Sequence, residues 1–215
     1  MSNAYVTTSE FVASQSGAVY IDLPSGEIQN YINRASSLIE QYCSRIFVHN
    51  ASFVETLFSS GRGRAVIGNN GYYSLYPIHY YPINTVASIT WTLITPALPP
   101  YTSVINAVSP VLTQDIYIET DQWNEGYRVR VFEDMGQYRD PGIVVKFIVT
   151  YDGGYTTYPD WLTEAAIRWT TGLLKRRGSQ SFIMGGDGAS VDWSSGSNSD
   201  IKAAKEALDP HRRIY

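Results

Sequence analysis

The sequence predicts an α+β fold: a small helical bundle of two long helices plus short terminal helices, with an antiparallel β-lobe inserted between the long pair. Apolar residues recur at helical spacing near both ends of the chain. The middle switches to an alternating β-branched and aromatic pattern broken by turn signals. Gly and Ser supply 12 of the 22 residues 178–199, which sets the last part of the chain apart. The expected division is 1–50 for the N-terminal helical part, 51–151 for the β-rich lobe and 152–215 for the C-terminal helical part. Residues 178–199 form a flexible segment in this division.

Thr7 stands three residues before Glu10, the spacing of a capping box, and opens a short helix to about Ser14 that Gly17 ends. Ser25, or Leu23 with Pro24 as the first helical residue, caps a long helix over 27–47, and Glu27 suits its positive end. Ile28, Tyr31, Ile32, Ala35, Leu38, Ile39, Tyr42, Cys43 and Ile46 form one apolar stripe. Strands are expected at 51–58, 65–67, 72–76, 86–94, 115–119, 127–132 and 143–150. Ile89, Trp91 and Leu93 alternate with Thr90 and Thr92, as one buried and one wet face require. The Pro-rich stretch 95–110 reads as a projecting loop.

After a turn at Asp152-Gly153-Gly154, Pro159 marks the second long helix. Leu162, Ala165, Ala166, Trp169 and Leu173 share its apolar face. Lys175, Arg176 and Arg177 occupy its last turn, and Gly178 stops it. Asp200 caps a last short helix over 201–208, which Asp209-Pro210 ends. Leu38, Ile39, Leu162, Ala166 and Trp169 are expected to share the bundle core.

Composition narrows the function. Hydrophobic residues make up 44% and charged residues 17%, a globular balance. The net charge of −4 is the wrong sign for a protein that grips nucleic acid tightly. Cys43 is the single cysteine, so no intrachain disulfide forms. No apolar run reaches the ~18 residues of a membrane span, and the polar N-terminus lacks a signal-peptide pattern, so the expected setting is the cytoplasm. The 17 Tyr, 5 Trp and 7 Phe suit both β-sheets and protein interfaces.

A search for chemistry finds little. His49, His79 and His211 have no metal-ligand spacing and read as structural or exposed. Cys43 lies on the apolar stripe, where a thiol is an inert small hydrophobe. Gly61-Arg62-Gly63-Arg64 lacks the ending of a phosphate loop, and Gly185-Gly186-Asp187-Gly188 lacks the acidic spacing of a calcium loop. Asp115, Glu119 and Asp121 read as solubilising a β-edge. Lys175, Arg176 and Arg177 can face DNA phosphates, but complementing the helix dipole accounts for them more simply. No catalytic residue, cofactor or metal is expected.

Order along the chain is more telling than any one residue. A capped short helix and a long amphipathic helix precede the β-region, which contains Tyr81-Pro82-Ile83-Asn84-Thr85-Val86. An apolar strand then runs through Tyr151-Asp152-Gly153-Gly154-Tyr155 into Pro159-Asp160-Trp161-Leu162 and a helix ending Lys-Arg-Arg. The chain closes on Leu208-Asp209-Pro210-His211-Arg212-Arg213. This series resembles the head–tail connector, or adaptor, family of tailed bacteriophages, over both helical ends and a little more than half the chain. The β-region here is larger than that family's compact hairpin.

The resemblance implies a structural virion protein and no enzyme. Its members form a homo-oligomeric ring, commonly dodecameric, beneath the portal protein. The ring lengthens the tunnel through which double-stranded DNA passes and presents a platform to a stopper or tail-completion protein. The implied location is the virion neck, after assembly in the host cytoplasm, with no membrane involved. In that family the C-terminal region contacts the portal. Phe182, Ile183, Met184, Trp193, Arg212 and Arg213 are therefore the expected partner-binding residues, and the Gly/Ser-rich stretch 178–199 with its sparse apolar anchors is expected to be mobile in the free subunit and ordered on assembly. On that expectation, truncation after Gly178 leaves a folded protein. The alternative is an aromatic-rich phage β-module binding carbohydrate or another virion protein, which calls for exposed Trp or Tyr grouped on one β-face.

Overall fold

The computed structural model describes residues 4–14, 17–59, 65–67, 73–77, 79–94, 102–106, 116–120, 125–131, 144–181 and 193–212. The chain divides into a helical unit, Met1–Arg45 with Thr157–Tyr215, and a β unit, Ile46–Thr156.

In the helical unit, α1 spans Thr8–Ala13. Its capping box is formed: the Glu10 amide donates to Thr7 Oγ1, and the Thr7 amide donates to Glu10 Oε2 at 2.8 Å. The Thr7 amide first, and then the Thr7 hydroxyl donating to Glu10 Oε2 at 2.7 Å, hold the Glu10 carboxyl below its ordinary range. Helix α2 spans Ser25–Cys43 and follows Pro24, which takes the cap position without a side-chain bond. The helix stops short of residue 47 because Ser44 turns left-handed at φ 54°. The amides of Ser44 and Arg45 both close on the Glu40 carbonyl. Helix α3 spans Asp160–Ser181 and α4 spans Trp193–Leu208, followed by a 3₁₀ turn at Asp209–His211. Ile28, Ile32, Ala35, Ile39 and Cys43 of α2 are buried. So are Leu162, Ala165, Ala166, Trp169 and Leu173 of α3 and Ile201, Ala204 and Leu208 of α4. Leu38, expected in this core, is only half-buried.

The fold is mixed α+β, but the expected bundle of two long helices with short terminal ones is overturned. Among the described residues three helices are long, with 19, 22 and 16 residues, and the rest is mainly two sheets. Two local signals misled. Gly178 does not stop α3, which continues to Ser181. Asp200 looks like a cap, and the Ser-, Gly- and Asn-rich residues before it are weak helix formers. Yet α4 starts at Trp193, and tertiary bonds hold its first half. Lys175 Nζ donates to Asp200 Oδ2 at 2.6 Å, and Arg176 Nη2 to Asn198 Oδ1 at 2.9 Å. The 178–199 segment is therefore helical at both ends, and its centre lies outside the described residues.

In the β unit, strands β1 (Asn50–Phe58), β8 (Val144–Gly153), β4 (Ile83–Ile94) and β5 (Thr102–Asn106) form one antiparallel sheet in that order. Strands β2 (Ala65–Ile67), β3 (Tyr73–Leu75), β7 (Gly126–Val131) and β6 (Ile116–Thr120) form the second. Strand β5 lies within the stretch expected to be a loop. The sheets share one core. Val145, Phe147, Val149 and Tyr151 of β8 meet Tyr73, Leu75, Val129 and Val131, and the Tyr73 and Phe147 ring centroids are 4.9 Å apart. Alternation explains the apolar run in β8: every second residue enters this core, and β8 has a strand on either side.

The glycines after β8 have a steric cause. Gly154 has φ +89°, and a Cβ there would stand 2.2 Å from the Val48 carbonyl oxygen.

Candidate functional site

In the helical unit, the C-terminal motif folds back on the helices. Tyr42 Oη donates to Asp209 Oδ1 at 2.5 Å, and this bond raises the tyrosine's pKa. The Arg212 guanidinium lies 5.0 Å and Lys205 Nζ 5.3 Å from the Tyr42 ring centre. His211 is buried and stacked on Trp161, with centroids 3.7 Å apart and planes within 5°. Arg212 was expected to bind a partner. It is exposed, but it lies over an aromatic ring of its own unit.

The three cations at the end of α3 are engaged within the unit. Lys175 pairs with Asp200, Arg176 bonds Asn198, and Arg177 pairs with Glu27. Trp193 is the first residue of α4. Phe182, Ile183, Met184 and Arg213 lie outside the described residues.

Among the described residues the β unit holds four polar centres, at Glu55, Glu125, Asp152 and Glu119. Glu55 is only 3% exposed. It accepts from Tyr151 Oη at 3.0 Å and from the His79 amide at 3.4 Å, and His79 Nδ1 stands 3.3 Å from its other oxygen. Burial, followed by the Glu55 charge, raises the Tyr151 pKa, so the phenol keeps its proton and serves as donor. Glu125 accepts from Tyr81 Oη at 2.7 Å and from Tyr155 Oη at 2.5 Å, and Phe47 stacks on Tyr155. At the turn after β8, Asp152 takes His49 Nε2 at 3.1 Å and Asn84 Nδ2 at 2.8 Å. His49 and His79 thus each face a single carboxylate. Among the described residues no group of three or more His, Cys, Asp or Glu is placed to hold a metal. Cys43 is buried, and that burial pushes its thiol up to about 12, far from a reactive thiolate.

The outer face of the second sheet carries Glu119, Arg128, Arg130, Tyr76, Tyr117 and Tyr127. Glu119 accepts from Arg128 Nε at 2.6 Å and Tyr127 Oη at 3.0 Å, and Arg130 Nε stands at 2.6 Å. The Arg128 hydrogen bond comes first among the causes that hold the Glu119 carboxyl low. Arg128 also lies over the Tyr127 ring at 5.2 Å and the Tyr76 ring at 6.0 Å, while Tyr117 is 48% exposed.

Sequence reasoning passed over Tyr42 as a site residue because it reads as part of a core stripe, and over Trp161 because it falls outside both stripes. The stack on Trp161 had one signal, an aromatic two residues after one helix-limiting proline and a histidine directly after another. Among the described residues no helix is long and apolar enough to cross a membrane. Compared with models of known protein families and with curated proteins, the chain matches none.

Proposed function

We propose that this chain is a structural protein that joins the head of a tailed phage to its tail, as a ring beneath the portal that lengthens the DNA tunnel. The observation that carries the reading is the contact between its two most telling motifs. Trp161 of the Pro159-Asp160-Trp161-Leu162 segment stacks on His211 of the Leu208-Asp209-Pro210-His211 segment, and Leu162 and Leu208 are both buried. Segments far apart in sequence that meet in the fold act as one structural element, and coincidental matches have no reason to meet. The net charge of −4 favours the same reading, since a tunnel through which DNA slides must not hold its phosphates.

Mixing the purified chain with portal rings and sedimenting them tests the reading. The chain should pellet with the portal at a fixed ratio and protect its outlet face from protease. Failure to bind portals from a range of tailed phages, with the chain shown to be folded, would contradict it. Tyr117, exposed on the β-face that also holds half-buried Tyr76 and Tyr127, favours a second reading, a carbohydrate-binding module. A glycan screen that finds binding lost in Tyr117→Ala would favour it over the first.

A further inference from the structure

We infer that the ring closes through its β unit: edge strand β1 of one copy pairs with edge strand β5 of the next, so that the first sheet continues from subunit to subunit. This rests on the ring reading above and names the contact that builds the ring.

Strands β1 and β5 are the two edges of that sheet, and among the described residues no strand lies outside either. Exposed edges invite pairing, and proteins that stay apart blunt them with lysine, proline or short length. Neither edge carries a lysine or a proline, and the register shift of β1 between Asn50 and Phe53 leaves the run from Phe53 to Phe58 regularly paired. Strand β1 is nine residues long and contains no Lys, Arg or Pro. Its single charge, Glu55, is turned inward and bonded to Tyr151 within its own unit. Strand β5 reads Thr-Ser-Val-Ile-Asn, without charge or proline. The second sheet differs. Its edge β2 has three residues, and its edge β6 carries Glu119 locked to Arg128 and Arg130.

Strand direction selects the partner. Three antiparallel steps lead from β1 through β8 and β4 to β5, so β1 and β5 run in opposite directions. A neighbour related by rotation about an axis along the strands brings its β5 antiparallel to β1, the more stable ladder. Beyond the register shifts near the Asn50 and Ile83 ends of β1 and β4, Thr56, Ile148, Thr90 and Val104 form one row across all four strands. The next copy extends that row. Val54 and Phe58, on the outward face at the β1 edge, are 55% and 43% exposed, and a strand added there covers them. Pairing β1 with β1 is also antiparallel, but it stops at two copies and leaves β5 bare. Pairing β1 with β5 is heterologous, uses both edges and closes by rotation.

Two variants test this, each read in the presence of portal rings. Val54→Lys with Thr56→Lys places charges on the exposed side of β1. It should abolish the ring while circular dichroism and unfolding match the wild type. Thr56→Cys with Val104→Cys, bridged by a short bis-maleimide whose reach covers a shift in register, should give a ladder of covalent multimers. Buried Cys43 stays silent in the unsubstituted control. A ring that survives the lysines and yields no ladder overturns the pairing and leaves the ring reading intact. Covalent dimers from Thr56→Cys alone show β1 against β1 and also overturn it. If the wild type forms no ring, the ring reading fails and the pairing fails with it.

Discussion

Glu119 shows how one carboxylate can organise a sheet face. Arg128, Arg130 and Tyr127 converge on it, and Arg128 comes first among the causes that hold its carboxyl below the ordinary value of 4.5. A depressed folded-state value contributes stability that is present above 4.5 and is lost as pH falls through the lowered value. Glu119→Gln should therefore be less stable than wild type at pH 7 in urea titration, and the difference should shrink in acid. An equal gap at both pH values would show that the charge is not the cause. In the sequence, Glu119 read as a charge solubilising a β-edge. The alternation of Arg128 and Arg130 with Val129 and Val131 was legible, but cross-strand register was not, and register is what places Glu119 opposite Arg128. The Trp161–His211 stack was hidden for a similar reason, since 50 positions of chain separate its two rings.

At the scale of elements, helical periodicity was a better guide than helix punctuation. The stripe on α2 buries Ile28, Ile32, Ala35, Ile39 and Cys43, yet Leu38 sits at its margin, because a stripe defines a face and not which of its residues the neighbouring helices cover. Ile39→Ala should cost about 2–5 kcal/mol in denaturant, and Leu38→Ala clearly less. Equal losses would place the core face elsewhere. The helix ends misled because a Gly, an Asp and a run of Ser act locally, while α3 and α4 are held by each other. Cutting after Gly178 removes buried Ile201, Ala204 and Leu208 together with the Lys175–Asp200 pair. These contacts argue against the expectation that such a truncation leaves a folded protein. The shortened chain should lose cooperative unfolding of its helices, and retained cooperative melting would show that α4 is dispensable. Most strands were legible from alternation and turn residues. Strand β5 was not, because the prolines around it outweighed five uncharged residues.

At the scale of the whole molecule, both chain ends build the helical unit and the middle builds a β unit of two sheets over one core. The Pro159 and Leu208 segments of the resemblance lie in the helical unit, and the strand edges inferred to build the ring lie in the β unit. A ring built in this way needs no catalytic cleft. The order of motifs was legible in the sequence, and the function drawn from it was a matter of resemblance. Edge polarity, from which the subunit contact is inferred, follows from topology, which no local pattern specifies. Native mass spectrometry of the 24.0 kDa chain, alone and bound to portal rings, tests the central claim most directly. The account predicts one closed oligomer whose mass is a fixed multiple of the chain, bound to the portal as a unit. A 24.0 kDa monomer that stays monomeric beside the portal at every concentration would contradict it.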